Sequence, residues 1–239
     1  MNLWERLRLD MDRHRLLALV GGGGKTTNMY ALAKEARDAG KTVVVTTTTH
    51  IMPHPSLFLV DESDPARLRA LLKTYGILTV GRLDRRDKMT GGDVAACLAA
   101  ADVVLVEADG ARLHPLKVPA DHEPVIPPEA DAVIAVAGMD SLGGEIGVVC
   151  HRPEKVCDLL DKPMDALVGP ADVAAILSSP RGGRKHVGEH MAFRCILNKA
   201  DEPARQALAG EVAGILKAGG IPTVVTCYTE EEQGGLCWF

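Results

Sequence analysis

Aromatic residues are scarce: three Phe, three Tyr and two Trp make up 3% of 239 residues, so the core has to be assembled from Ala, Val, Leu and Ile. That favours helices packed on a Val-rich sheet. No apolar run approaches the roughly 20 residues that span a bilayer, and Met1 to His14 carries no apolar stretch of signal-peptide length, which predicts no membrane insertion and a cytoplasmic location. Basic charge is not in excess, because 27 Lys and Arg stand against 32 Asp and Glu for a formal charge of -5. No overall field draws such a chain to nucleic acid. The six cysteines (Cys97, Cys150, Cys157, Cys195, Cys227, Cys237) contain no C-x-x-C pair and lie too far apart for a disulfide framework, so reduced thiols are expected. Internal repeats, low-complexity tracts and Pro/Gly/Ser linkers are also missing, and a single domain over residues 1–239 follows.

Hydrophobic residues at 46% and charged residues at 25% suffice for a sizeable core. Short continuous apolar runs alternate with helix-like stretches, the pattern of strands covered on both faces. Strands are expected at 16–20, 41–46, 57–60, 77–80, 103–106, 132–137, 193–197 and 223–226. Helices fit 65–73, 92–100, 153–160, 171–177 and 203–218, together with an Ala-rich stretch that ends near Gly40. The expected fold is a three-layer α/β/α domain with a mostly parallel central sheet. Three stretches fall outside this scheme, at 47–56, 82–91 and 108–130, and loops of that length in a compact domain are more often functional than passive.

Gly21-Gly22-Gly23-Gly24-Lys25-Thr26-Thr27 lies where the first strand meets a helix, a place where unpaired amides and the helix dipole favour an anion. Glycines let the backbone wrap a phosphate, Lys25 reaches the outer phosphates, and the Thr26 hydroxyl is a Mg²⁺ ligand. This order predicts a phosphate-loop NTPase-like domain binding ATP or GTP. The loop is shorter than the common pattern, which has a glycine six positions before the lysine where this chain has Leu19. Its spacing resembles the loop of Mur-type amide ligases. The second signature lysine frequent in nickel-chaperone and nitrogenase-type ATPases is replaced by Val20.

The run Asp102 to Val106 ends in Glu107, with Asp109 two residues on. In phosphate-loop enzymes such a strand lies beside the loop and holds the metal's water shell, so Glu107 and Asp109 are both candidates for the metal side and for orienting a nucleophile. Asn198-Lys199-Ala200-Asp201 follows another apolar run and matches the Asn-Lys-x-Asp base motif of GTPases, in which the aspartate accepts from guanine N1–H and the exocyclic amine. Helix capping by Asn198 and Asp201 is the competing account. Thr46 to Thr49 and His50 run off the second strand at the sheet edge where open α/β folds bind ligands, which makes His50 a catalytic candidate beside Lys25, Glu107 and Asp109. Arg85, Arg86 and Lys88 populate the second long loop; Arg112, His114, Lys117, Asp121, His122 and Glu123 populate the third. Together they suggest an anionic substrate or the phosphates themselves. Cys150, His151 and Cys157 have the ligand types for a soft metal or a chalcogen but match no zinc spacing.

Five segments together, VGGGGKTT (20–27), TTTTH (46–50), VEADGARLHPLKVPADHEPVIP (106–127), VCHRP (149–153) and LNKAD (197–201), resemble the YqeC family, accessory proteins of selenium-dependent molybdenum hydroxylases. The 106–127 segment is the most specific, since phosphate-loop physics does not demand it. The resemblance implies a role in making or inserting the selenium-containing molybdenum cofactor, with a hydroxylase apoenzyme or a cofactor-modifying protein as partner. The residues supply the chemistry of a Mg²⁺-dependent NTP hydrolase. Two other readings stand beside it: a kinase or ligase acting on a cofactor precursor or selenium donor, and a non-catalytic nucleotide-sensing scaffold. Oligomeric state is open, with the homodimer a form in which such triphosphatases often work.

Overall fold

Side-chain alternation along the first strand divides the core in two. In the computed structural model, which describes residues 1–49, 58–84 and 89–228, β1 (Leu16–Gly21) sends Leu17 and Leu19 to one face of the sheet and Leu16, Ala18 and Val20 to the other. The strand is apolar throughout because neither face meets water. Helices α1 (Leu3–Arg6) and α2 (Lys25–Asp38) cover the Leu17 face through Trp4, Leu7, Met29 and Leu32. The opposite face is covered by α3 (Pro65–Tyr75), α4 (Val94–Ala100), α6 (Pro153–Leu160), α7 (Pro170–Ser178) and α8 (Pro203–Ala218). Four of these begin with a proline at the first turn, where its missing amide costs nothing. Asp64 and Asp93 cap α3 and α4 by accepting from the amides of Ala66 and of Ala95 and Ala96.

The other strands of the main sheet are β2 (Val43–Thr47), β3 (Leu59–Val60), β4 (Ile77–Leu83), β5 (Met89–Gly91), β6 (Val103–Glu107), β8 (Ala132–Gly138), β10 (Ala192–Asn198) and β11 (Thr223–Val225). Their spatial order is β11-β10-β8-β1-β6-β2-β4-β3, parallel throughout, with β5 antiparallel to β4. A short parallel pair, β7 (Leu116–Lys117) with β9 (Cys150–His151), lies outside it, and α5 (Ile146–Val149) precedes β9. The three-layer α/β/α architecture and mostly parallel sheet expected from the sequence are what the chain forms. Among the described residues no helix is long and apolar enough to cross a membrane.

Two of the three long stretches turn out differently from simple loops. Residues 108–130 are irregular but largely interior, since Ala108, Leu116, Val118 and Ala130 belong to the core and Lys117 and Glu123 are buried with charged partners. In 82–91, β4 runs on to Leu83 and returns through β5 as a hairpin. Arg85, Arg86 and Lys88 lie outside the described residues, as do His50, most of 47–56, and Cys237.

Leu105 on β6 is fully buried against the α2 layer. Leu105→Ala should lower unfolding free energy by about 2–5 kcal/mol through lost transfer energy and the cavity left behind. Chemical denaturation, comparing midpoints at unchanged slope, checks this.

Candidate functional site at the glycine-rich loop

The carboxyl end of β1 opens into the loop between two neighbours that hold it in different ways. On one side β8 and its extension pack so closely that a Cβ on Gly21 would lie 2.3 Å from Val136 O, and one on Gly23 2.1 Å from Gly138 N, at positive φ in both cases. Only glycine meets both demands. The Gly22 amide donates to Val136 O (2.9 Å) and the Gly23 amide to His114 O (3.1 Å). Beyond them the backbone turns into α2, whose N-cap Gly24 has φ 117 and no side-chain cap. Among the described residues no protein acceptor meets the amides of Gly24, Lys25, Thr26 and Thr27. An α-helix start without such partners is disposed to take an anion.

On the other side lies β6, directly paired with β1 so that Glu107 stands level with Leu19. Thr26 Oγ1 donates to Glu107 Oε2 at 2.9 Å. Thr47 on β2 donates its hydroxyl to Glu107 O at 2.7 Å, which fixes the strand end. Lys25 is 5% exposed; its Nζ donates to Gly21 O (2.7 Å) and lies 3.2 Å from Asp109 Oδ1 and 3.5 Å from Glu107 Oε1. Burial works against its charge, but the Asp109 and Glu107 carboxylates outweigh it and hold the ammonium above the ordinary lysine value.

Asp109 is placed differently from Glu107. Its two oxygens accept from the Gly21 amide at 3.2 and 3.0 Å, and it meets both Lys25 and Lys117, the latter at 3.0 Å. Lys117 Nζ also donates to Gly110 O (2.6 Å) and Glu123 Oε2 (3.0 Å), and Arg152 reaches Glu123 at 2.8 Å. Burial would raise the Glu123 carboxyl, yet Lys117 and Arg152 bring it down to about 2. His114 stacks on His151 at 5.8 Å between ring centroids, and burial with the nearby Arg152 and Lys117 charges lowers His151 to about 4.

The base-motif residues stand at the end of β10. Asn198 is buried under the loop, donating to Gly23 O (2.8 Å) and accepting from Thr226 (2.9 Å), so it does not cap α8. Lys199 pairs with Asp140 (2.6 Å), and Asp201 is exposed beside Arg205. The threonine run is taken up in the protein's own bonds: Thr46 donates to Val80 O and Thr48 to Val125 O. Cys150 is buried, with its thiol pushed up to about 12, and no group of three or more His, Cys, Asp or Glu among the described residues is placed to hold a metal. The described cysteines are free thiols.

Motif reading missed the partners of these groups. Lys117, Glu123 and Arg152 are distant in sequence from the loop, and Asn28 and Thr226 gain meaning only through contact with Asn198 or its neighbours. The signals that pointed to the first set were the 106–127 segment, for Lys117 and Glu123, and the VCHRP segment, for Arg152.

Fold and site together define a three-layer α/β/α protein with a glycine-rich strand-to-helix loop beside an acid-ended strand. A family model described as YqeC protein matches residues 17–154, a span that takes in the loop, Glu107, Asp109, Lys117 and Arg152 but stops short of Asn198. The YqeC protein of Escherichia coli (strain K12), which its name calls uncharacterized, is 34% identical over 184 residues, covering 73% of this chain and 72% of that protein. The chain belongs to the YqeC family.

The Glu123 carboxyl titrates near 2 in the folded chain against an ordinary 4.5, so its contribution to stability is complete above pH 4.5 and is lost as pH falls towards 2. Glu123→Gln should lower the melting temperature at neutral pH and flatten its decline across that acid window. Thermal unfolding of both proteins at a series of pH values reads the difference.

Proposed function

We propose that this chain is a Mg²⁺-dependent nucleoside triphosphate-binding protein that hydrolyses the bound triphosphate and assists maturation or insertion of the selenium-containing molybdenum cofactor of hydroxylases. The observation that carries the nucleotide reading is the set of unpartnered amides at Gly24 to Thr27, beside a buried lysine whose ammonium is held only by carboxylates and a carbonyl. Four backbone donors and a lysine cation at a helix N-terminus fit a phosphate chain. The hard oxygens of Thr26 and Glu107, already 2.9 Å apart, fit Mg²⁺, which needs few protein ligands because it keeps much of its water. Mg²⁺ held there supplies charge neutralisation on the transferring phosphoryl group.

The chain's own residues divide the remaining work. Lys25 Nζ exchanges its carboxylate contacts for the outer phosphate oxygens, and the loop amides stabilise the charge that develops there. Asp109, which binds the Gly21 amide and two lysines, acts as the clamp of the loop, and the metal side falls to Glu107. Asn198 joins the loop to the Lys199 and Asp201 turn, so a base placed against Asp201 and phosphates placed on the loop share one frame. The pathway assignment rests on family resemblance; a cytoplasmic setting agrees with the free thiols. A kinase or ligase acting on a cofactor precursor is the second reading, favoured by the His114 and His151 pair adjoining the loop. It differs in consuming triphosphate only when an acceptor is present.

Calorimetric titration with GTP, ATP and slowly hydrolysed analogues, with and without Mg²⁺, tests the proposal. Micromolar binding that requires Mg²⁺ is expected; Lys25→Ala should abolish it, and Glu107→Gln should weaken its Mg²⁺ dependence and remove phosphate release. Absence of binding to either nucleotide would sink the reading.

Base selection has its own check. Asp201→Asn should weaken GTP by about tenfold or more, the roughly 1.5–3 kcal/mol scale of a lost hydrogen bond to a charged group, and leave ATP unchanged. Equal effects on both nucleotides would remove the base motif from the account.

A further inference from the structure

Two buried lysines serve the glycine-rich loop, and its motif accounts for one of them. Lys25 belongs to the loop itself. Lys117 arrives from β7, is 3% exposed, and sets its ammonium against Asp109 Oδ2 at 3.0 Å, Gly110 O at 2.6 Å and Glu123 Oε2 at 3.0 Å. Asp109 therefore holds the Gly21 amide and both lysines at once.

Resting on the triphosphate reading above, we propose that Lys117 is a positioning residue for the nucleotide: it keeps Asp109 compensated, and the Gly21 amide anchored, when Lys25 leaves the carboxylates for the phosphates. The argument is one of exchange. A buried carboxylate stripped of its cation is expensive, so Lys25 is free to move only if another positive group stays behind. Lys117 can stay because Gly110 O and Glu123 hold it in place, and its near-complete burial keeps it from the ligand. Arg152, 2.8 Å from Glu123, supplies that carboxylate with a second cation. In this way a residue that touches no phosphate sets the affinity for one. It also places a second lysine at the loop from a distant segment, in a chain that has Val20 where some related loops carry theirs.

A merely structural lysine would stabilise free and bound states alike. Exchange predicts a particular rescue instead. Without Lys117, Lys25 is the remaining lysine on Asp109 and the triphosphate must compete with that carboxylate; neutralising Asp109 removes the competition. The full chain and its variants K117M, D109N and K117M/D109N are titrated with Mg²⁺·GTP and Mg²⁺·ATP. K117M should bind at least about tenfold more weakly than the unaltered chain, whereas the same substitution on the D109N background should change affinity by no more than about threefold and leave it tighter than K117M alone, a coupling well beyond additivity. K117M binding like the unaltered chain, or a double variant as weak as K117M, overturns the inference and leaves the triphosphate reading standing. An unaltered chain that binds no triphosphate overturns both. If K117M loses cooperative unfolding, K117Q and K117Q/D109N take its place with the same expected and overturning outcomes.

Discussion

The carboxylate of Asp109 is the contact on which the rest of the site depends. It sits at the end of β6, accepts the amide with which the glycine-rich loop begins, and is flanked by one lysine from that loop and another from β7. Three cations (Lys25, Lys117, Arg152) and three anions (Glu107, Asp109, Glu123) form a connected and balanced set, most of it withdrawn from water. In a low-dielectric interior such a set is tolerable only when every member is paired, and each pairing fixes the others. The loop's conformation is thus as much a product of charge compensation as of its glycines.

This explains why so short a loop can hold its shape. A glycine-rich turn with few residues has little of its own to define it, and here the definition comes from outside. His114 O accepts from the Gly23 amide, Pro115 O accepts from the Gly138 amide, and Asn198 Nδ2 donates to Gly23 O. Gly22 is pressed against the same arch, since a Cβ there would lie 2.5 Å from His114 O. The open donors of Gly24 to Thr27 are therefore presented by a frame made of four separate segments. Preorganised donors cost little reorganisation when an anion arrives.

Much of the fold was legible beforehand because its signals are local. Apolar runs such as 103–106 and 132–137 became buried parallel strands, and 153–160 and 203–218 became helices with the predicted limits. The loop with Lys25 and Thr26, and its neighbour Glu107, were readable from order alone, since one apolar run ends in the glycine turn and another in a carboxylate. Elements of two to four residues, α1, α5, β7 and β9, escaped because too few positions carry a period. The hydroxyls of Thr46, Thr47 and Thr48 donate to Val80 O, Glu107 O and Val125 O, partners that could not be read beforehand because none is adjacent in sequence. Lys117 was readable as one of the third-loop charges that suggest an anionic substrate or the phosphates, whereas its burial against Asp109 and Glu123 was not, because charges on a loop ordinarily read as solvated.

The 106–127 segment can now be understood from its contacts. Nothing in phosphate binding requires EADGA followed by PADHEP, yet each part meets a need of the loop. Glu107 and Asp109 face Thr26 and Lys25; Gly110 O and Glu123 hold Lys117; His114 and Pro115 form the arch; Ala120 donates its amide to Glu123 and, through its carbonyl, receives Lys185. A stretch that looked like a long loop is a second lining for the site, folded inward because its charges find partners there and its alanines and valines find the core. Without Lys117, Lys25 would be the one lysine against the buried Asp109 among the described residues. The inward segment supplies the second cation, and that physical need accounts for its composition better than solvent exposure does.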